Sequence, residues 1–188
     1  MNVTKLLNSI DNIDRISDQE WKASLIGRKL KELEFHDKDR DDNFVSKSVA
    51  NDTYEKFYGN KKYYNATERS KKYVQNWIKT ESKGKVFLDY ACGNGVNAIL
   101  AAKSGASLSL GFDISSVSVK NAKKVAEKDN LQNIRFFQAD AENTQLPNEC
   151  VDVVICSGML HHLDLSFAFP ELRRILKPGG KILAVEAL

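Results

Sequence analysis

The chain has 188 residues, of which 42% are hydrophobic and 28% charged, and its net charge is +3. This length and composition predict a globular protein with its own hydrophobic core. The sequence has no run of about 18 apolar residues, so no membrane span is predicted. So small a positive charge argues against a nucleic acid as the main partner.

The cysteines indicate a reducing environment. Cys92, Cys150 and Cys156 lie in or beside predicted strands, and none has the C-x-x-C spacing of a metal or redox motif. Reduced thiols are typical of cytosolic proteins, and the first residues lack the apolar core of a signal peptide. We therefore predict a cytoplasmic protein.

Residues 1–84 are predicted to form a helical cap or lid. Apolar residues recur at helical spacing across residues 1–34, where Ser17 and Glu20 have the spacing of a capping box. The stretch 36–48 is polar, which is typical of a solvated helix or loop. A mobile lid is the functional alternative. There His36 and Asp37 could supply an acid–base pair, although nothing in the sequence places them near a substrate.

From Lys85 onward, strands alternate with helices. Short connections between them predict a doubly wound, mostly parallel sheet with helices on both faces. Residues 85–188 are therefore predicted to form an α/β core. The predicted strands are 85–90, 107–113, 133–138, 151–157 and 181–187, and the predicted helices are 95–103, 116–129 and 164–176.

A glycine turn follows the first predicted strand. Gly93, Gly95 and Ala98 satisfy the G-x-G-x-x-G/A spacing, and Asp113 lies twenty residues beyond Gly93. This spacing alone also fits a nicotinamide cofactor. Asp89, at the end of the strand, would repel a pyrophosphate but suits a ligand that has an ammonium group and no phosphate. S-Adenosylmethionine (SAM) is such a ligand.

The run from Leu88 to Gly95 resembles motif I of the class I SAM-dependent methyltransferases, and later motifs agree with that family in order and spacing. The resemblance covers residues 85–188. It implies a Rossmann-like fold, an enzyme that transfers methyl groups, and SAM as cofactor with S-adenosylhomocysteine as product. The further motifs are Phe112-Asp113-Ile114-Ser115, Gln138-Ala139-Asp140-Ala141-Glu142, Asp152 to Ser157, Leu160-His161-His162-Leu163 and Leu176 to Lys181.

The resemblance also implies which residues hold the cofactor. Asp89 would bind the methionine ammonium through a charge-assisted hydrogen bond. Asp113 would accept from both ribose hydroxyls, and Asp140 from the adenine amino group. The other expected contacts are the backbone of Ala91, Gly93 and Gly95, the side chain of Ile114 on the adenine, the Ala141 N–H toward a ring nitrogen, and the backbone of Ser157.

The sequence departs from the family pattern at two places. Ala91 stands where the family most often has its first glycine, and its methyl group is expected to be tolerated if φ is negative there. The chain stops at Leu188, where family members continue with a helix and two more strands. We therefore expect a fragment, or a homodimer or other partner that covers the edge of the fifth strand.

Methyl transfer requires alignment of the acceptor and exclusion of water rather than a covalent residue. His161 and His162 follow the fourth strand, where the resemblance places the substrate cleft. Either could act as a general base or contact the acceptor, and a histidine that only packs in the loop is the alternative. Together with Asp164 they offer metal ligands, but adjacent histidines cannot easily point at one ion, so no metal is expected.

We predict a small-molecule, lipid or glycan acceptor, because helical caps in the family usually accompany such acceptors. An RNA or protein methyltransferase is the alternative. It would need a basic surface or an Asn-Pro-Pro-Tyr signature, and Ser157-Gly158-Met159-Leu160 is not one. A non-catalytic SAM-binding domain is a further alternative, although the intact Asp89, Asp113 and Asp140 argue against loss of binding.

Overall fold

The computed structural model describes residues 2–41 and 61–186, and of residues 61–67 only the backbone. Of the polar stretch 36–48, it therefore describes residues 36–41. None of the described helices is both long and apolar enough to cross a bilayer. The helices are α1 (Val3–Ile13), α2 (Asp18–Ser24), α3 (Gly27–Asp39), α4 (Lys61–Glu81), α5 (Val96–Lys103), α6 (Ser116–Lys128) and α7 (Leu165–Ile175), and the strands are β1 (Val86–Tyr90), β2 (Leu108–Asp113), β3 (Ile134–Gln138), β4 (Val151–Ser157) and β5 (Leu176–Val185).

Five parallel strands form one sheet in the order β3-β2-β1-β4-β5. The central strand is β1, whose Leu88 lies between Leu110 of β2 and Val154 of β4. Every residue of β1 and β2 is buried, because helices cover both faces of the sheet. The predicted α/β class and the parallel sheet are confirmed.

Alternation along the strands divides the core into two layers. Leu88 packs in one layer with Leu6 of α1 and Leu172 of α7. Its neighbour Phe87 packs in the opposite layer with Ile78 of α4. Successive side chains of a strand point to opposite faces. Asp89, two residues after Phe87, therefore points to the same face of the sheet as Phe87.

Helix α2 lies near the carboxyl end of β2. The predicted capping box begins α2: the Glu20 N–H donates to Ser17 Oγ at 3.3 Å, and the Ser17 N–H donates to Glu20 Oε2 at 3.1 Å. In the same helix, Trp21 is buried and its indole N–H donates to the Ile114 carbonyl, just after β2, at 3.0 Å. The helical character predicted for residues 1–34 is confirmed, but the single helix expected from Ser17 to Leu33 is divided, because Leu25 and Ile26 are extended between α2 and α3.

The last strand begins earlier than predicted. The sequence places a turn at Lys177–Gly180 and a strand from residue 181, whereas β5 begins at Leu176, directly after α7. Leu176 already pairs with Val151, and a register shift follows before Lys181 pairs with Val153. Gly179 and Gly180 predict a turn, but pairing with β4 brings this segment into the sheet as an irregular part of the strand.

Candidate functional site

A cavity of about 190 Å³ lies where the carboxyl ends of β1 to β4 meet α3. The strand ends supply seven of the nine predicted cofactor-binding residues, and α3 supplies mostly charged side chains. From the strand ends come Ala91, Gly93, Asp113, Ile114, Asp140, Ala141 and Ser157, and from α3 and the residue after it come Arg28, Lys29, Glu32, His36 and Arg40.

The two glycines of the turn have different roles. Gly93 lines the cavity at φ 53°, and its N–H donates to Asp113 Oδ2 at 2.8 Å. Gly95, which precedes α5, is not part of the cavity lining. Its φ is 76°, and a Cβ at this position would lie 2.5 Å from the ring of Phe136 on β3. Gly95 therefore permits close packing between α5 and β3.

The backbone at Ala91 does not meet the condition under which a methyl group was expected to be tolerated. That condition was a negative φ, but Ala91 has φ 53°. This is the left-handed region, which costs a residue with a Cβ about 1–2 kcal/mol. The turn after β1 gives Ala91 the same left-handed conformation as Gly93. A positive φ therefore explains why the family most often has glycine at this position.

Asp113 joins three parts of the site. Its carboxylate is buried and accepts hydrogen bonds from the Gly93 N–H at 2.8 Å and the Ser115 N–H at 3.0 Å. Arg40 Nη1 lies 3.4 Å from Asp113 Oδ1 and donates to Ser118 Oγ at 2.5 Å. The guanidinium is also the group that a Cβ on Gly93 would meet, at 3.5 Å, so Arg40 lies over the glycine turn.

Asp140 is paired in the same way with α3. Its Oδ1 accepts from the Glu142 N–H at 2.8 Å, and its Oδ2 lies 2.5 Å from Lys29 Nζ, which is also 2.9 Å from Glu142 Oε2. Burial lowers the pKa of Lys29, but the two carboxylates outweigh burial and raise it above its ordinary value. Lys29 therefore stays charged and holds α3 to the loop after β3.

Asp89 lies apart from the cavity. It is 1% exposed, and its carboxylate accepts from the Ala98 N–H at 3.2 Å and from Asn97 Nδ2 at 3.3 Å, both on α5. Burial raises its pKa to about 7. Strand alternation explains this placement, because Asp89 shares the face of Phe87. Its contact with a methionine ammonium stays a prediction.

Only one of the two candidate histidines lines the cavity. His162 does so, whereas His161 is 58% exposed and its Nδ1 lies 2.8 Å from Glu186 Oε2. Sequence reasoning missed Glu32 and did not place His36 here. Both line the cavity from α3, where they are four residues apart and share one face. That spacing is the signal that could have found them.

His36 is partly buried, and its ring packs edge-on against that of His162, with 5.8 Å between the ring centroids. Burial, together with the charge of Arg40, lowers the pKa of His36. A neutral imidazole can accept a proton or bind a metal ion. The cavity therefore joins two acids suited to ribose hydroxyls and amino groups with a histidine cluster on the α3 side.

Comparison with known proteins agrees with this geometry. The family model described as "Methyltransferase domain" matches residues 88–184. The chain is 32% identical over 100 residues to the uncharacterized methyltransferase YcgJ of Bacillus subtilis, which covers 53% of this chain and 39% of that protein. The crystal structure of YcgJ superimposes with a TM-score of 0.56 and 28% identity, over 60% of this chain and 49% of the other.

Two other relatives have different names. A ubiquinone biosynthesis O-methyltransferase of Acinetobacter baumannii is 32% identical over 112 residues, which is 57% of this chain and 47% of that protein. A ribosomal protein L11 methyltransferase of Photobacterium profundum is 30% identical over 100 residues, which is 53% of this chain and 32% of that protein. The chain thus spans between a third and a half of the length of these curated relatives.

Proposed function

This chain belongs to the methyltransferase domain family, and from that premise we propose that it transfers a methyl group from SAM to a small-molecule, lipid or glycan acceptor. The observation that carries the proposal is the pair Asp113 and Asp140, which end neighbouring strands and line one cavity. We assign Asp113 to the ribose hydroxyls and Asp140 to the adenine amino group. Residues 85–188 would then form the SAM-binding core and residues 1–84 its helical cap.

The residues of the cavity fit a nucleoside. Both acids already accept hydrogen bonds from within the cavity, from the guanidinium of Arg40 and the ammonium of Lys29. A ribose diol and an exocyclic amine are donors of the same kind, so they can replace these cations at the two carboxylates. Gly93 supports this fit, because a Cβ there would meet only the Arg40 guanidinium, at 3.5 Å or more, so a ligand that displaces Arg40 can approach the backbone beside Asp113.

Bound SAM supplies a methyl group on a positively charged sulfur, which leaves readily in an in-line displacement. The chain's own residues have to fix the donor and acceptor in line and keep water out. We assign the donor side to the strand ends and the acceptor side to His162, which lines the cavity together with Glu32 and His36. We do not assign this role to His161, which pairs with Glu186 and is not among the residues that line the cavity.

A small acceptor is favoured by the position of α3, which supplies one wall of the cavity and leaves limited room for a folded partner. The likeness to a ribosomal protein L11 methyltransferase supports a protein acceptor as the second candidate. We also infer a cytoplasmic location, which the free thiols of Cys92, Cys150 and Cys156 support.

We further infer that a second copy or another partner covers the edge of β5. Ile182 on this strand is 43% exposed, and proteins protect exposed sheet edges. A second copy predicts a species heavier than the 21.2 kDa chain in sedimentation velocity, and a monomer at all concentrations would contradict the second copy.

Isothermal titration with SAM and, separately, with NADH tests the proposed cofactor. We expect SAM to bind and Asp113→Ala to weaken its binding more than tenfold, because two hydrogen bonds to a charged acceptor are lost at about 1.5 kcal/mol or more. Asp113→Asn keeps the side-chain shape but an acceptor for only one of the two N–H groups, so thermal melts of both variants separate ligand binding from folding. Asp11→Ala, on the exposed side of α1, is the control and should leave the SAM affinity unchanged.

Three outcomes would contradict the proposal at different points. An unchanged dissociation constant in both Asp113 variants refutes the ribose assignment. Absence of SAM binding by the folded protein at millimolar ligand refutes the cofactor. Binding of NADH instead of SAM would favour a nicotinamide enzyme. A screen with labelled SAM and cell extracts, using a chain extended beyond Leu188, would then identify the acceptor.

A further inference from the structure

Three potential metal ligands converge on the α3 side of the cavity. Glu32 and His36, one turn apart on α3, and His162, from the short helix after β4, each offer one ligand atom, and these atoms lie within 4.8 Å of one another. Glu32 Oε2 is 3.5 Å from His36 Nε2 and 3.3 Å from His162 Nδ1. All three residues line the cavity.

These spacings match a tetrahedral site. With zinc–ligand bonds of about 2.0–2.2 Å, neighbouring ligand atoms of a tetrahedron stand about 3.4 Å apart. Both contacts of Glu32 have this length. The two imidazole nitrogens, which are within 4.8 Å, need to approach by at most about 1.4 Å to reach the same tetrahedral spacing, and a modest rotation of the rings supplies this.

The carboxylate of Glu32 lacks a permanent cation. Among the residues that the structure describes, Glu32 is paired only with His36 and His162, whereas the other acids of the cavity face lysine or arginine. A partly buried carboxylate between two imidazoles is incompletely satisfied, and a bound cation would complete it.

The adjacent histidine does not compete for the ion. His161 Nδ1 faces Glu186 at 2.8 Å, and its side chain is 58% exposed. The sequence objection to a metal site was that His161 and His162 cannot easily point at one ion. That objection does not apply here, because the second histidine ligand comes from α3 instead.

We propose that Glu32, His36 and His162 bind one divalent transition-metal ion, preferably zinc, and leave its fourth coordination position open to the cavity. Two imidazoles and one carboxylate with an open position are the ligand set of catalytic zinc sites, and imidazole favours zinc over magnesium or calcium. Metal binding itself does not depend on the proposed function, whereas the role that follows does.

As part of the proposed methyl transfer, the open position would take a hydroxyl or thiol of the acceptor. Coordination makes such a group more acidic, so it releases its proton to solvent. The acceptor oxygen or sulfur then forms a bond to the methyl carbon. The bond between the methyl carbon and the sulfonium breaks, and its electron pair stays on the sulfur of S-adenosylhomocysteine. The substrate class is thus an alcohol, phenol or thiol.

Metal titration of the chelator-treated full chain tests the site without SAM. Calorimetry with Zn²⁺ should give one equivalent per chain, and Co²⁺ should give the visible absorption bands of a tetrahedral ion. Glu32→Gln, His36→Gln and His162→Gln should each weaken Zn²⁺ binding by at least about 100-fold. Loss of a residue that only supports a ligand already weakens metal binding by about 10–100-fold, and loss of a ligand should cost at least as much. His161→Gln is the matched control and should bind Zn²⁺ as the parent does.

Thermal melts of the metal-free variants show whether each is folded. Cys92→Ser removes the thiol that lines the cavity as a competing ligand, and the thiols of Cys150 and Cys156 are buried. Zn²⁺ binding that persists in the His36 and His162 variants, or that Cys92→Ser abolishes, overturns the site. Failure of folded, metal-free parent protein to bind Zn²⁺ does the same. SAM binding without Zn²⁺ binding overturns the metal site alone, whereas Zn²⁺ binding without SAM binding overturns the proposed cofactor alone.

Discussion

Replacement of Lys29 by methionine should strengthen SAM binding. Lys29 Nζ lies 2.5 Å from Asp140 Oδ2, the acceptor that we assign to the adenine amino group. Because the ammonium of Lys29 occupies this acceptor, the lysine side chain has to leave before the adenine amino group can donate to it. Methionine has a similar length but no charge, so Lys29→Met removes the competing contact and keeps most of the packing.

The expected gain follows from the contact that SAM no longer has to break. A hydrogen bond to a charged group contributes about 1.5–3 kcal/mol. The side chains of Lys29 and Asp140 are 29% and 16% exposed, and partial exposure to water places this pair at the lower end. A difference of about 1.4 kcal/mol changes a dissociation constant tenfold, so Lys29→Met should bind SAM up to about tenfold more tightly.

Isothermal titration of the parent and two variants measures this effect. Lys31→Met is the matched control, because Lys31 is exposed on the same helix and makes no ion pair with the residues that the structure describes. It should leave the affinity unchanged. Weaker SAM binding by Lys29→Met would show that the lysine contacts the bound cofactor instead of competing with it, and equal gains in both variants would assign the effect to net charge.

Two further predictions concern the turn after β1 and the acid within that strand. Ala91→Gly should raise the free energy of unfolding by about 0.5–1 kcal/mol, because relief of the positive φ exceeds the entropy that glycine adds to the unfolded chain. In urea denaturation, Ala101→Gly in α5 should show the opposite sign, and the absence of a gain at residue 91 would contradict strain there. The pKa of Asp89 is raised from an ordinary 3.8 to about 7, so between these pH values the folded chain holds a proton that the unfolded chain has released. The contribution of Asp89 to the free energy of unfolding should therefore fall as pH rises from 4 to 7, by up to about 4 kcal/mol. This contribution is measured as the difference between the parent and Asp89→Asn at each pH. A difference between parent and Asp89→Asn that is equal at pH 5 and pH 8 would refute the assignment.

Local signals were sufficient for most of the fold. The apolar runs of the strands and the capping box of Ser17 and Glu20 depend on residues close together in sequence, and both are confirmed. The start of β5 was misplaced because pairing with β4 overrides the glycines Gly179 and Gly180. Tertiary pairing of this kind leaves no mark in a short window of sequence.

The cavity was only half predictable. Its strand side follows from topology, since parallel strands bring Asp113 and Asp140 to one edge of the sheet. Its helical side depends on contacts such as that between Glu32 and His162, which are 130 residues apart in sequence. The placement of α3 over the strand ends therefore needed the structure. Asp89 illustrates a third case, because strand alternation was available in the sequence but was not applied to this side chain.

Phe136 restricts the order in which this chain can change over evolution. Its ring lies so close to Gly95 and Gly111 that a Cβ on either would approach it to 2.5 or 2.6 Å. A smaller residue at position 136 would have to appear first, and a Cβ at position 111 would then still require a small shift of Cys92, whose Sγ would lie 3.0 Å from it. At Gly95 the backbone still has φ 76°, which favours glycine whatever the space. Replacement of Phe136 would thus relieve the main contact that restricts Gly111 to glycine. At Gly95 the positive φ of the backbone would still favour glycine.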